Sequence, residues 1–273
     1  MAQIDTGTTH LLADLDGGVL TLTLNRPEAR NAMSGEMTGA LARQLAWAEL
    51  APEVKVVVLT GSGQGFCAGG DVKGMDQRNQ GAGAGPTIDE AIFAQRVNQR
   101  ETSGRLFSMP KPTVAALPGA AAGAGLGLAL ACDLRIMSKT AIMTTAFARV
   151  GFSGDYGGTY FLTQLVGAGK ARELYFFSER VNAEEALRLG LTNWVCEADE
   201  LQAKTRDIAR RLAAGPTVAF RYMKENLNRA MTGEVGECMD LEVTHHVHCG
   251  QTADHKEAAR AFVEKREPVF AGR

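Results

Sequence analysis

Alternating and periodic apolar positions divide the first part of the chain into strands and a helix. From Gly18 to Leu24 apolar and polar residues alternate, as they do in a strand with one buried face. Val54 to Thr60 is a nearly continuous apolar run, which is typical of a strand buried on both faces. Between them, apolar residues recur every four positions from Ser34 to Leu50. This spacing predicts a helix that Ser34 caps.

A second unit of the same kind follows from Pro112. A strand over Thr113–Leu117 leads into a glycine-rich turn, a helix that ends at Ala131 and a strand over Leu134–Met137. Repeated units of strand, turn and helix predict an α/β core. From 199 onward the pattern is helical and strand signals vanish. We therefore divide the chain into a core, 1–198, and a C-terminal helical region, 199–273, which has too little core of its own and is expected to pack on another subunit.

Composition narrows the classes of partner. The 273 residues carry a net charge of −2, so no global field attracts nucleic acid or an anionic membrane. The most apolar stretch, Ala115–Ala131, is interrupted by Pro118 and glycines and cannot span a bilayer. Five widely spaced cysteines argue against a disulfide framework, and Met1–Thr9 lacks the pattern of a signal peptide. These features predict a cytoplasmic protein with neither a nucleic-acid nor a membrane partner.

Two glycine-rich turns are the candidate chemical site. Phe66–Met75 and Pro118–Gly127 each follow a predicted strand. Their small side chains let a ligand approach the backbone, and two N–H groups that converge on one carbonyl oxygen form an oxyanion hole. One alternative for the second turn is a buried alanine-rich helix. Another is a dinucleotide site at Gly123-x-Gly125, which Leu128 disfavours because it replaces the third glycine.

The turns and their flanks, taken together, resemble one family. In order and spacing, four segments resemble the crotonase (enoyl-CoA hydratase/isomerase) superfamily over essentially the whole chain: Arg26–Ala32, Phe66–Met75, Gly119–Asp133 and Asp254–Phe270. The resemblance implies a crotonase-type spiral of ββα units. It also implies that the C-terminal helical region drives trimerisation, so the protein is expected to be a homotrimer or a hexamer built as a dimer of trimers.

The resemblance also implies a ligand and its contacts. It implies an acyl-CoA thioester substrate and no separate cofactor, because CoA enters as part of the substrate. The oxyanion N–H groups fall at Ala68 and Ala124. The remaining CoA contacts of the same chain fall at Glu28, Ala29, Arg30, Ala68, Gly70, Asp71 and Val72. Phe262 and Lys265 match positions that reach the CoA of a neighbouring subunit.

The departures from the family pattern indicate the reaction. Hydratases of this family use two glutamates to hold and activate water, and the matching positions are Gly127 and Phe147. Asp155 lies in a segment that resembles the one where some isomerases, including those of phenylacetate degradation, carry a catalytic aspartate. A single carboxylate can take a proton from the α-carbon and return it at the γ-carbon. The alternative role for Asp155 is to cap the helix expected from Thr159.

Other functions compete with this hypothesis. The protein could be a hydratase, or catalyse hydrolysis or ring cleavage, if other groups hold the water; or it could be a CoA-binding scaffold without catalysis. A fourth alternative, an RNA-binding relative, is disfavoured by the net charge. The cluster His245, His246, His248 and Cys249 lacks a zinc-site spacing, so we interpret it as a solvated or subunit-contact helix face and expect no metal. Cys67 has no histidine base nearby and is interpreted as a small packing residue.

Overall fold

The computed structural model describes residues 2–71, 74 and 85–273, and its strands form two sheets. In spatial order, the larger sheet contains β1 (Ala2–Ile4), β2 (Leu11–Asp16), β3 (Val19–Leu24), β4 (Val56–Gly61), β6 (Thr113–Leu117), β8 (Leu134–Ser138) and β11 (Trp194–Cys196). The smaller sheet contains β10 (Val181–Asn182), β9 (Ile142–Thr144), β7 (Ala120–Ala122) and β5 (Gly65–Cys67). From β3 to β11 all neighbours in the larger sheet are parallel.

Helices connect and cover these sheets. In chain order they are α1 (Gly35–Leu50), α2 (Ile88–Gln99), α3 (Arg105–Ser108), α4 (Ala124–Ala131), α5 (Gly158–Phe177), α6 (Ala183–Arg188), α7 (Leu201–Ala213), α8 (Thr217–Ala230), α9 (Val235–Cys249) and α10 (Ala253–Glu264). Short 3₁₀ turns lie at Pro27–Ala29 and Phe147–Val150, and a π-helical turn lies at Arg100–Gly104. Gly167 interrupts α5 with a non-helical backbone.

The order of strands confirms the predicted spiral of ββα units. In the pairs β4–β5, β6–β7 and β8–β9, the first strand joins the larger sheet and the second joins the smaller one. A helix follows each pair: α2, α4 and α5 respectively. The chain therefore winds between two sheets, and the ends of the short strands of the smaller sheet come together. The glycine-rich turns lie at these ends.

Burial explains why the sequence pattern predicts these elements. All five residues of β6 are buried, as expected for a parallel strand with both faces covered. The α1 helix buries the residues that recur every four positions, and its first turn accepts the predicted cap, because the Met37 N–H donates to the Ser34 hydroxyl at 3.2 Å. All eight residues of α4 are buried, so this helix runs through the core.

The C-terminal helical region contacts the α/β core directly. The α7 helix contributes Leu201, Ala209 and Ala213 to a second apolar cluster on the larger sheet. On α8, the buried Lys224 ammonium donates to the Asp133 carboxylate at 2.9 Å and to two backbone carbonyls. Burying an unpaired charge costs much free energy, and the ion pair and hydrogen bonds of Lys224 offset that cost. Asp133 also accepts from the Thr113 N–H at 2.8 Å, so its carboxylate links α8 to β6.

A membrane-spanning element was sought among the described helices. None of those in 2–71, 74 and 85–273 combines the length and the apolar composition that crossing a bilayer requires.

Candidate active site

The two glycine-rich turns meet through their backbones. The first turn continues from β5, and the second continues from β7, the neighbouring strand of the smaller sheet. Gly69 has a left-handed φ of +88°, and a Cβ atom added to it would lie 2.7 Å from the Ala122 carbonyl oxygen and 3.3 Å from the Ala124 nitrogen. Only a residue without a side chain allows this approach. The convergence predicted for the two turns is therefore present.

Ala124 supplies a donor at the start of a helix. It is the first residue of α4, and Gly123 before it has a non-helical backbone with φ 52° and ψ −124°. The first N–H groups of a helix have no partner inside the helix. The positive end of the helix dipole also lies there, so the position favours a negatively charged oxygen. This arrangement agrees with the role predicted for the Ala124 N–H.

The structure corrects the prediction for Ala68. Its N–H already donates to the Arg30 carbonyl at 3.0 Å, so it cannot also serve as a free donor. The left-handed Gly69 turns the chain after that hydrogen bond, and the Gly69 carbonyl accepts from the Met33 N–H at 2.8 Å. Beyond it, the Gly70 N–H has no acceptor among the residues that the structure describes. The sequence could not separate these adjacent N–H groups, because their directions depend on the φ angle of Gly69.

One carboxylate oxygen of Asp155 is buried and has no hydrogen-bond partner among the described residues. Its Oδ2 accepts a hydrogen bond from the Gln95 side chain at 3.4 Å, whereas Oδ1 has no partner within the described part of the chain. Burial raises the pKa of the carboxyl group to about 6. A carboxylate with a raised pKa is a stronger base, and such groups are frequent at functional sites.

The alternative role of Asp155 as a helix cap is wrong. The residue that precedes α5 is Gly157, and no side chain caps the first turn. The contact that Asp155 makes with the helix is through its backbone, because its carbonyl accepts from the Gly158 N–H at 3.0 Å. The carboxylate is thus not engaged by the helix.

The missing glutamate at position 127 is explained by the position of Asp155. A Cβ atom on Gly127 would lie 3.0 Å from the Cβ atom and the carbonyl oxygen of Tyr156, and 3.4 Å from the Asp155 carbonyl oxygen. The turn that carries Asp155 therefore packs directly on α4 at Gly127. This point is three residues, roughly 4.5 Å along the axis, from the Ala124 donor. The turn that carries Asp155 therefore contacts α4 at the position where the resemblance places a glutamate in the hydratases.

An aromatic wall lies beside the donor and the carboxylate. The Phe147 ring is 7% exposed, would lie 3.7 Å from a Cβ atom on Gly123, and stacks on Tyr175 with centroids 5.8 Å apart. The Tyr175 hydroxyl reaches the backbone near Gly154 and Gly158, on both sides of Asp155. Tyr175 was not found from the sequence, because only the fold brings the second half of α5 back to this turn.

The predicted CoA contacts fall into two groups. Arg30 and Ala68 line one cleft of about 480 Å³, together with Arg180, which the sequence did not indicate. Glu28 and Ala29 lie in the 3₁₀ turn that leads to Arg30. The segment Arg26–Ala32 is joined to the first glycine-rich turn by an ion pair, in which the Arg26 guanidinium contacts the Asp71 carboxylate at 3.3 Å. A β-bridge between Met33 and Gly70 lies next to this ion pair. Val72 lies outside the described residues.

Phe262 and Lys265 are separate from this group within one chain. Phe262 is 85% exposed at the end of α10, and Lys265 follows it with an exposed side chain. Neither lines the cleft with Arg30. Their predicted contact with the CoA of a neighbouring subunit stays a prediction.

The sequence of the chain is similar to that of one known protein family. Residues 14–273 match the sequence model of the enoyl-CoA hydratase/isomerase family. The chain belongs to the enoyl-CoA hydratase/isomerase family. It is 35% identical to the 1,2-epoxyphenylacetyl-CoA isomerase of Escherichia coli (strain K12), with 96% of this chain and 98% of the relative covered. It is 34% identical to the short-chain-enoyl-CoA hydratase of Clostridium acetobutylicum, over 94% of this chain and 96% of that one.

Solved structures of this family have the same fold. The crystal structure of an enoyl-CoA hydratase from Polaromonas sp. JS666 superposes with a TM-score of 0.88 at 32% identity, covering 96% of this chain and 99% of the other. The names of the relatives include both isomerases and hydratases, so the family alone does not choose between these reactions.

Two other candidate sites have structural explanations. The His245 ring is buried, lies 2.6 Å from the Asn226 side chain and stacks on Tyr222, so its contacts are those of a helix–helix junction. Within the described ranges no three potential ligands form a metal cluster. Cys67 is fully buried, and burial raises the pKa of its thiol to about 12, which leaves it protonated and confirms its packing role.

The raised pKa of Asp155 predicts a pH-dependent stability difference. Between pH 3.8 and about 6 the unfolded chain releases the proton that the folded protein keeps, so the wild type loses stability as the pH rises. Asp155→Asn should therefore gain about 1–2 kcal/mol relative to wild type between pH 4 and pH 7, a figure reduced for partial exposure. Urea unfolding of both proteins at fixed concentration measures this. A stability difference between the two proteins that does not change with pH would contradict the raised pKa of Asp155.

Proposed function

We propose that this protein is an enoyl-CoA isomerase that moves a double bond from Δ3 to Δ2 in an acyl-CoA thioester. The observation that supports this most strongly is the buried Oδ1 atom of Asp155, which has no hydrogen-bond partner among the described residues. It belongs to a turn that packs on α4 at Gly127, and the resemblance places the two glutamates of the hydratases at Gly127 and Phe147. One base suffices for an isomerisation, whereas hydration needs a water molecule that is both held and activated.

The first step is removal of a proton from C2. The Asp155 carboxylate takes this proton, and the electron pair of the C–H bond moves into the thioester carbonyl and is shared with the C3=C4 double bond. Negative charge then builds on the thioester oxygen. We assign its two donors to the Gly70 and Ala124 N–H groups, which converge with the α4 dipole. Loss of one oxyanion donor typically costs about 3–4 kcal/mol of transition-state stabilisation.

The second step returns the same proton. The Asp155 acid delivers it to C4, the electron pair returns from the oxygen, and the double bond forms between C2 and C3. The reaction consumes and releases nothing else, so it needs no cofactor beyond the CoA that belongs to the substrate. A pKa near 6 suits a group that must act first as a base and then as an acid.

The apolar surroundings support both halves of this cycle. The ring of Phe147 lies against Gly123, beside the donors, and replaces a carboxylate that would have repelled the enolate. Burial of Asp155 keeps its carboxylate poorly solvated and therefore basic. The Tyr175 ring extends this wall toward the Asp155 turn.

We propose that the active form is a homotrimer or a dimer of trimers. The C-terminal helices carry many exposed apolar side chains, including Leu227, Met239, Val243 and Val247, which are 55–69% exposed. Contiguous exposed apolar surface of this kind is typical of subunit interfaces. Phe262 and Lys265 would then complete the CoA site of a neighbouring subunit.

The central prediction concerns substrate choice and Asp155. Wild type should convert a 3-enoyl-CoA into the conjugated 2-enoyl-CoA, and kcat/KM should rise with pH through about 6, because the carboxyl group must be ionised to accept the proton. Asp155→Asn should lower kcat about 100-fold or more. Absorbance of the conjugated thioester follows the reaction. Crotonyl-CoA hydrated as well by Asp155→Asn as by wild type would instead favour a hydratase with another water-activating group.

A second prediction tests the contact between α4 and the Asp155 turn. Gly127→Ala places a methyl group 3.0 Å from Tyr156 and displaces the turn, so kcat should fall about 10–100-fold, as expected for a carboxylate misplaced by about 1 Å. Gly169→Ala is the control, since a Cβ atom there has no neighbour within 4 Å. Steady-state kinetics and melting temperatures compare the two. Full activity of Gly127→Ala would show that this contact does not position the base.

A further inference from the structure

Two glutamines on one face of α2 hold the turn that carries Asp155. The Gln95 side-chain amide donates to Asp155 Oδ2 at 3.4 Å, and the Gln99 side-chain oxygen accepts from the Tyr156 N–H at 3.0 Å. The two glutamines are four residues apart, so they project from the same side of the helix. They contact adjacent residues of one turn. One glutamine binds the carboxylate and the other binds the backbone next to it.

The α2 helix lies largely at the surface. None of its side chains is fully buried, and in its second half Gln95, Val97 and Gln99 are half-buried while their neighbours are exposed. After Gln99 the chain continues as the π-helical turn, whose Thr102 and Ser103 are buried. Such turns occur often at functional sites. The helix is therefore fixed to the core at one end and to the Asp155 turn along one face.

The hydrogen bond from Gln95 distinguishes the two carboxylate oxygens. Oδ2 is engaged, while Oδ1 is buried and has no partner in the described part of the chain. A carboxylate on a short side chain can rotate, and a donor on one oxygen restricts that rotation. Tyr156 itself has a left-handed φ of 49°, a conformation that costs energy in a residue with a side chain. The bond from its N–H to Gln99 helps to hold the turn in that conformation.

We propose that Gln95 is a positioning residue that orients the Asp155 carboxylate, so that Oδ1 is the oxygen that exchanges the proton with the substrate. Gln99 supports the same orientation through the backbone of Tyr156. This inference rests on the proposed isomerase function, because it assigns the proton transfer to Asp155. It adds that α2, which carries no residue of the family's motifs, contributes to the chemistry.

Among the described residues, two tyrosines interact electrostatically with Asp155. The hydroxyls of Tyr156 and Tyr175 are the titratable groups that couple to it, and burial raises the pKa of both, to about 12 for Tyr156, so they stay neutral. The α4 helix presents only glycine, alanine and leucine. Gln95 also hydrogen-bonds the Tyr156 side chain, so a change at Gln95 acts on Asp155 and on a hydroxyl that stays neutral.

The test compares two substitutions of opposite effect. Gln95→Leu removes the donor and keeps a similar side-chain volume, so the ionised carboxylate is less stabilised. The pH at which kcat/KM rises to half its maximum should therefore increase by about 0.5–1 pH unit. We expect kcat to fall about tenfold and KM to change little. Gln95→Lys places a cation beside the carboxylate and should lower the pH at which kcat/KM rises. Asn98→Leu, on the exposed side of α2, is the control and should match wild type. A structural role alone would not give shifts of opposite sign.

A direct titration separates this inference from the proposed function. Carbon NMR of labelled Asp155 reports the pKa of its carboxyl group whether or not the 3-enoyl substrate reacts. An upward shift in Gln95→Leu and a downward shift in Gln95→Lys would support the positioning role even if the reaction proves different. Unchanged pKa values and unchanged kcat in both variants, with all proteins folded, would overturn it.

Discussion

The close approach of two backbone turns is the constraint on which the site depends. Gly69 packs against Ala122 and Ala124 at distances that no side chain would allow. Gly70 follows Gly69 directly, and its N–H has no acceptor among the described residues, while Ala124 is the first residue of α4. The strands that lead into the turns are neighbours in the smaller sheet, so the spiral of ββα units brings the two turns together. The helix dipole then adds to both donors.

A second contact of the same kind brings the turn with Asp155 against α4. The turn lies on Gly127, one of the two positions where the resemblance places a hydratase glutamate, and a side chain there would displace the turn. The aromatic ring of Phe147 occupies the other glutamate position and keeps the site apolar. Burial then raises the pKa of Asp155 and makes it a competent base. The proposed use of Asp155 as the base thus goes together with the absence of both glutamates.

Much of the fold could be predicted from the sequence, because its strands are continuous apolar runs and its helices have regular apolar spacing. The strand over Thr113–Leu117 was predicted with its observed bounds, and the helix from Ser34 differs by its cap alone. The short strands of the smaller sheet were missed, since three residues such as Gly65–Cys67 carry no periodic signal. The wrong assignment at Ala68 and the contact from Gln95 share one cause. Both depend on backbone direction and long-range packing, which a residue pattern does not encode.

The central claim is that one carboxylate both removes and returns the proton. It is tested most directly with a 3-enoyl-CoA that carries deuterium at C2, in a single turnover in ordinary water. We predict that part of the 2-enoyl product carries that deuterium at C4, because the desolvated Asp155 holds it between the two steps. A product whose C4 hydrogen comes entirely from the solvent would contradict transfer by one buried group and would require a second acid.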